Sequence, residues 1–401
     1  MKLLVVGGGN NAGLAVVQSL GKLDCTIDVA GVRGELNKCF YSRFINKKFY
    51  LENPEPFLGS FCDKITSIIN SEGYDFIIPT NDRFTLILSL DYVRDQIRNG
   101  KITSPDYSTL ISALDKANAL RLAQKFKCPI PSGTIFTDDA FISRFDNIAQ
   151  DLLFPLVLKP RFSWWIHHNK LTRSSVKFIN NPEDFKFHFF STHELIPYPI
   201  IQNQIRGDAW GIELLAFNGT ILTAFSHMRV RETNPLGSFS SAVKSIPINE
   251  VYFTYIEKII EDLNWSGVCM FEFKNDDEDG LPKLIEINGR LWGSLPLAIV
   301  SGVDFPQKLV QVFSGKVLEK NFKYIENIYA RWLLADIIHL IRVLRGKPRG
   351  WTGYYPKRIE TLKEFCKFSK YHSFNNECLD PLPGIAELIL EPLFKLKRKI
   401  L

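Results

Sequence analysis

The stretch "LIEINGRLWGS", residues 284–294, sets a carboxylate, an amide and a guanidinium two residues apart each. On an extended strand alternate side chains share a face. Glu286, Asn288 and Arg290 therefore point one way, between the apolar Leu284, Ile285, Ile287 and Leu291. Just upstream, "VCMFEFKNDDEDGLPK" (268–283) reads as a strand and a polar turn. With the turn centred near Asp279, Glu272 falls opposite Glu286 and Lys274 opposite Leu284. Like charges directly across a ladder repel, so this pairing calls for something positive between them. The competing register turns one glutamate to solvent. Two carboxylates and an amide oxygen form a hard donor set that suits Mg2+, which keeps positions open for water and phosphates. Arg290, at the strand's exit, would meet negative charge left beside the metal.

Other segments carry cations of their own. Lys159 ends the apolar run "FPLVLKPRF" (154–162). An ammonium there needs an anion or a route to water, and phosphate oxygens would serve. Lys116 opens a helix behind "SALD", with Asp115 as its cap. A helix N-terminus with a lysine favours phosphate; the plain alternative is a surface lysine. "IIQNQIRGD" (200–208) interrupts a strand with polar residues, as an edge strand does or as a segment facing a flat base would. In "FSHMRVRETNPLGSFSSAVKS" (225–245), Arg229 and Arg231 alternate on a strand before a Gly/Ser loop, facing either a substrate or solvent.

Outward from these motifs the grain of the chain is plain. At 401 residues it predicts two or three structural units. "KLLVVGGG", "CTIDVAGVR" and "YDFIIPTND" are strands at the pitch of a parallel α/β unit over 1–111. From 112 to 315 short strands and polar turns predict an antiparallel α+β unit, with an Asn-Gly hairpin at "FNGT". Residues 316–401 read as mostly helical and basic, with 17 Lys or Arg against 9 Asp or Glu. That balance suits a solvated face or an anionic membrane surface. Seven unpatterned cysteines and a start without an h-region predict reduced thiols in a cytoplasm. The most apolar helix, "IYARWLLADIIHLIRVL", is broken by Arg331, Asp336, His339 and Arg342, too polar to span a bilayer.

Five motifs in order resemble the ATP-grasp superfamily, most closely its carboxylate–amine ligase branch. They are "LDKANALRLAQKFKCPIPSG", "FPLVLKP", "IIQNQIRGDAWGIELL", "GVCMFEF" and "LIEINGR" followed by "SGVDFP". The resemblance spans 1 to about 315 and is similar to domains of the biotin carboxylase and carbamoyl-phosphate synthase type. It implies a Rossmann-like first domain and two lobes that grasp ATP. Lys116 and Lys159 would contact phosphates, Gln202, Asn203, Gln204 and Ile205 would surround adenine, and Asp208 would bind ribose. Glu272, Glu286 and Asn288 would hold Mg2+. Arg290 would steady the transferred group, and Arg229 or Arg231 would meet a substrate carboxylate or phosphate. The implied reaction joins a small-molecule carboxylate to an amine through an acyl phosphate, releasing ADP and phosphate, with no nucleic acid involved.

Two features depart from the resemblance. The loop after Lys159, "PRFSWWIHHNKLTRSS", has no glycine and carries Trp164 and Trp165, which would serve as a lid or as packing against a partner or lipid. His167 and His168 have no third soft ligand near them in sequence. The superfamily pattern also leaves residues 316–401 uncovered. Two other functions compete. "GGGNNAG" nearly fits the dinucleotide fingerprint, and Arg33 at the second strand's end would suit an NADP-dependent oxidoreductase. A non-catalytic, membrane-associated binding protein would use the basic tail. The sequence leaves the substrates and the oligomeric state open.

Overall fold

A computed structural model describes residues 1–349, 354–375 and 378–400, with side chains described as far as Phe394. The first strands are apolar along their whole length because both their faces are covered. β1 (Lys2–Val6), β2 (Thr26–Val32), β3 (Ile45–Leu51), β4 (Phe76–Pro79) and β5 (Lys101–Ile102) form a parallel sheet in the order β3-β2-β1-β4-β5. Helices Asn11–Leu20 and Leu58–Glu72 make crossovers between them.

The next strands are β6 (Ile135–Phe136), β7 (Leu156–Lys159), β8 (Trp164–His167), β9 (Lys170–Arg173), β10 (Lys177–Ile179) and β11 (Ile200–Asn203). Four of them build an antiparallel sheet in the order β10-β7-β11-β6, while β8 and β9 stand apart as a hairpin. The large sheet takes β12 (Ala209–Phe217), β13 (Thr220–Glu232), β14 (Ser240–Ser245), β15 (Gly267–Asn275), β16 (Pro282–Asn288), β17 (Tyr329–Arg331) and β18 (Tyr371–Ser373). Its order is β16-β15-β12-β13-β14-β17-β18. The fold is thus mixed α/β with antiparallel sheets. Asn218 and Gly219 both hold positive φ between β12 and β13, the two-residue turn that "FNGT" announces.

One core cluster locks the parallel sheet to the large one. Leu3, Val5 and Val16 share it with Phe225, Met270, Trp292 and Phe305. The 316–401 segment is bound just as tightly. Its helices are joined by two strands that the helical reading left out, and β17 extends the large sheet by pairing with β14. Of the polar residues that interrupt the apolar run of helix Leu333–Arg345, Asp336 and His339 are buried and Arg342 is exposed. Asp336, 1% exposed, accepts bonds from Arg231 and Arg331. Among the described residues no helix is long and apolar enough to cross a membrane.

The C-terminal helix, Leu382–Ile400, is latched to the first sheet. Asp380, just ahead of it, accepts from Ser42 Oγ at 2.7 Å, Arg43 N at 2.9 Å and Gln18 Nε2 at 3.1 Å. The buried Lys38 pairs with the buried Glu387, which also accepts from Trp332 Nε1 at 2.9 Å. Removing one partner of a buried pair strands the other charge, at about 3–5 kcal/mol. Glu387→Leu is expected to cost that much in urea denaturation, and Lys38→Met/Glu387→Leu to recover more than half of the loss. Equal midpoints for the single variant and the native chain would show the latch to be weak.

Candidate active site

Register across the large sheet builds the site. Glu286 on β16 lies opposite Glu272 on β15, Glu272 opposite Gly211 on β12, and Gly211 opposite His227 on β13. Residues directly paired share a face, so one row carries all four. The next row runs Asn288, Met270, Glu213, Phe225. The expected pairing of the two glutamates therefore holds, but the expected partner of Lys274 does not. A bulge just before Glu286 shifts the register, so Phe273 pairs with Leu284 and Lys274 with Lys283. Ile285 is the extra residue, and the bulge lets Leu284 turn into the core while its N–H donates to Pro129 O at 2.8 Å.

Protein cations balance this acidic face. Lys116 Nζ stands 3.6 Å from Glu286 Oε2 and donates to Ser163 Oγ at 2.8 Å. Its helix, Lys116–Lys125, is capped by Asp115 as expected. Arg290 Nη2 donates to Asn288 Oδ1 at 3.2 Å, and its Nε to Asp82 Oδ1 at 3.1 Å. Asn288 Nδ2 in turn donates to Glu286 Oε1 at 3.1 Å. Arg229 pairs with Glu272 and Glu232. Lys159 comes from the neighbouring sheet, opposite Ile200. Burial is the main cause that pulls its ammonium down to about 8, with Glu286 pulling the other way. Burial pushes the Glu286 carboxyl up, but Lys116, the Asn288 hydrogen bond, Lys159 and Arg290 outweigh it and leave the group below its usual range.

The donor set fits a hard divalent cation. Glu272, Glu286 and Asn288 offer only oxygen ligands from adjacent strand positions, each already drawing a cation of the protein. Among the described residues no group of three or more His, Cys, Asp or Glu forms a closed metal cage. Two carboxylates leave the open positions that Mg2+ fills with water and substrate phosphates.

Other expected residues scatter. Gln202 is buried and donates to Thr134 Oγ1 at 3.0 Å, Asn203 is exposed, and Ile205 is buried. The segment then crosses to the large sheet, where Asp277 N donates to Arg206 O at 2.8 Å. Asp208, expected at the ribose, is exposed and lines a groove with Trp210 and Met228, residues out of phase with Gly211 and His227. Arg231 is a correction. A bulge at Val230 separates it from Arg229, and its guanidinium binds Asp336 at 2.8 and 2.9 Å and Tyr371 OH at 2.9 Å. The buried Asp336 claims the cation that alternation had assigned to substrate.

The glycine-free loop is a hairpin. His168 and Asn169 take positive φ in its two-residue turn. Trp164, Ile166 and Leu171 pack into the core of the parallel sheet, with the Arg83 guanidinium 5.7 Å from the Trp164 ring. Its base, Ser163 and Trp164, closes a small space over Asp82, Lys116, Glu286 and Asn288. The glycine turn is filled by the chain itself. A Cβ at Gly7 would stand 2.3 Å from Thr80 Oγ1, and one at Gly9 2.9 Å from Leu36 O. Glu391 and Phe394 of the C-terminal helix cover the cavity beside the turn, and Arg33 pairs with Glu52 at 3.2 Å. The dinucleotide reading gains nothing from this arrangement.

A larger cavity, of about 360 Å³, opens beside Glu272 and Arg290. His227 and Ser294 form part of its wall, with aromatic cover from Trp292 and Trp332. Sequence reasoning missed His227 and the buried Glu213. The signals were present: His227 lies two residues before Arg229, and Glu213 interrupts an apolar strand.

Comparison with known proteins agrees with this fold. Residues 197–334 match the family "ATP-grasp in the biosynthetic pathway with Ter operon". A D-aspartate ligase of Enterococcus faecium is 22% identical over 250 residues, so the match spans 57% of this chain and little more than half, 57%, of that relative. Biotin carboxylase of Campylobacter jejuni, solved with a β,γ-ATP ligand, shares the fold at a TM-score of 0.64 and 13% identity, over 82% of this chain and 74% of that one. N5-carboxyaminoimidazole synthetase of Staphylococcus aureus, complexed with ADP, does so at 0.62 and 15% identity, over 86% and 85%. By motif order, fold and a family match over residues 197–334, the chain is similar to ATP-grasp enzymes.

Proposed function

We propose that the protein is an ATP- and Mg2+-dependent ligase that joins a carboxylate to an amine. The observation that carries this is the convergence of Glu272, Glu286, Asn288, Lys116, Lys159 and Arg290 from two sheets and a helix N-terminus on one face. The D-aspartate ligase similarity favours an amino acid as one substrate.

Free carboxylates are poor acyl donors, and ATP supplies a leaving group. The carboxylate attacks the γ-phosphorus, ADP departs, and an amine displaces phosphate from the acyl phosphate. Mg2+, held by Glu272, Glu286 and Asn288, supplies charge neutralisation at the phosphates. Lys116 and Lys159 hold the phosphate chain, with Gln202, Asn203, Gln204 and Ile205 around the adenine. Arg290 meets charge on the transferred group, and Arg229 orients the acid. The β8–β9 hairpin keeps water from the intermediate. Phosphoryl transfer is a matter of positioning and electrostatics.

ADP release across a panel of amino-acid carboxylates and amines tests the reading. Release should require a pair of substrates and Mg2+, and Glu286→Gln should lower it by about 10²-fold or more. Full turnover in that variant would remove the metal role.

Lys159 gives a second handle. The unfolded chain keeps this proton up to an ordinary lysine value of 10.5, whereas the folded chain loses it at about 8. Between those values the unfolded state binds more protons, so stability rises with pH. Lys159→Met should flatten that rise by about 3 kcal/mol, at about 1.4 kcal/mol per pH unit. Parallel stability–pH curves for the two chains would place the ammonium in water.

The C-terminal helix favours peripheral attachment to an anionic membrane. Leu382, Ile385, Ile389 and Leu393 form an exposed apolar stripe, followed in sequence by Lys395, Lys397, Arg398 and Lys399, whose side chains lie outside the described residues. The protein should sediment with phosphatidylserine vesicles and not with phosphatidylcholine ones, and Ile385→Ser/Ile389→Ser should stay in solution. Failure to sediment with either lipid counts against attachment.

A further inference from the structure

The large cavity has a wall that the phosphoryl-transfer face does not use. His227 lies in the same row as Glu272, one strand beyond Gly211. Two strand spacings put the residues ~10 Å apart. Glu213 and Met270 lie over Gly211, the residue between His227 and Glu272. A Cβ there would meet Glu213 Oε1 at 3.0 Å and Met270 Cε at 3.3 Å. Behind the imidazole, Glu213 is fully buried, with Oε1 at 2.6 Å from His227 Nδ1. On the other side of the ring, Nε2 lies 3.4 Å from Ser294 Oγ, and both residues border the cavity. The ring thus lies between a buried carboxylate beside Nδ1 and the Ser294 hydroxyl beside Nε2.

Resting on the ligase reading above, we propose that this cavity is the amine site and that His227 is its general base, positioned by Glu213. An amine enters as an ammonium and has no lone pair to attack with. Nε2 takes one proton. The freed nitrogen attacks the acyl carbon, the C–N bond forms, and the C–O bond to phosphate breaks. Phosphate leaves with the electron pair and carries the second proton from nitrogen, so the amide is neutral. The imidazolium is stabilised by Glu213 and returns its proton to water. Arg229, two residues along β13, pairs with Glu272 and keeps that carboxylate from competing for the ammonium. The aromatic rings of Trp292 and Trp332 in the same wall suit an amine carried on an apolar stem.

Hydroxylamine separates this role from every earlier step, because it is already unprotonated at neutral pH and needs no base. The probes are hydroxylamine and the amines of the panel, each with the panel's amino-acid carboxylates, ATP and Mg2+. His227→Gln should lose amide formation by about 10²-fold or more while hydroxamate formation stays within a few-fold of the native chain. Glu213→Gln should show the same selective loss to a smaller degree, which guards against a histidine variant that fails to fold. Equal loss on both nucleophiles, or no loss on either, overturns the base. Hydroxamate without amide from any ammonium in the native protein overturns the amine site. Absence of hydroxamate with every carboxylate removes the ligase reading itself, a result distinct from the other two.

Discussion

Two like charges set side by side across a β-ladder govern this molecule. Glu272 and Glu286 face each other on β15 and β16, where repulsion alone would drive the strands to another register. The chain resolves the conflict by bringing cations from three directions. Lys116 arrives on a helix N-terminus, Arg229 from a strand of the same sheet, and Lys159 from the end of a central strand of another sheet. Each of those placements needs a different part of the fold. The acidic pair is therefore the point where the sheets are made to agree, and a bound divalent cation would share work the protein already does.

The same logic explains why the 316–401 segment is integral. Its Asp336 takes Arg231 out of reach of the acidic face, and its Glu387 neutralises Lys38 near the glycine turn. Both are buried charges that draw on partners far away in sequence. The segment thereby walls the large cavity with Trp332 and Phe374. Similarity to known structures covers four fifths of the chain or more.

Much of this was legible in the sequence. Period-two spacing put Glu286 and Asn288 on one face, the cap at Asp115 announced Lys116, and the run ending at Lys159 announced a buried cation. What failed did so for a physical reason. The bulges at Ile285 and Val230 shift register by one residue, and alternation cannot foresee an extra residue. Arg231 and Asp336 are 105 residues apart, so no local pattern could show that a buried aspartate would claim that guanidinium. His227 went unremarked because a lone histidine on a strand is unremarkable until Glu213, on the neighbouring strand, is seen behind it.

The β8–β9 hairpin has an energetic consequence for traffic through the nucleotide cleft. Leu171 is buried, and Trp164 and Ile166 pack with it into the parallel sheet's core. Swinging the hairpin aside would return that apolar surface to water, at about 1.5–3 kcal/mol for each fully buried side chain. On the ligase reading, a molecule passing beneath it would bind with an affinity weakened by the small fraction of open protein. The stiffness that a glycine-free loop imposes is thus a toll on entry and, equally, a brake on the escape of what has been made inside.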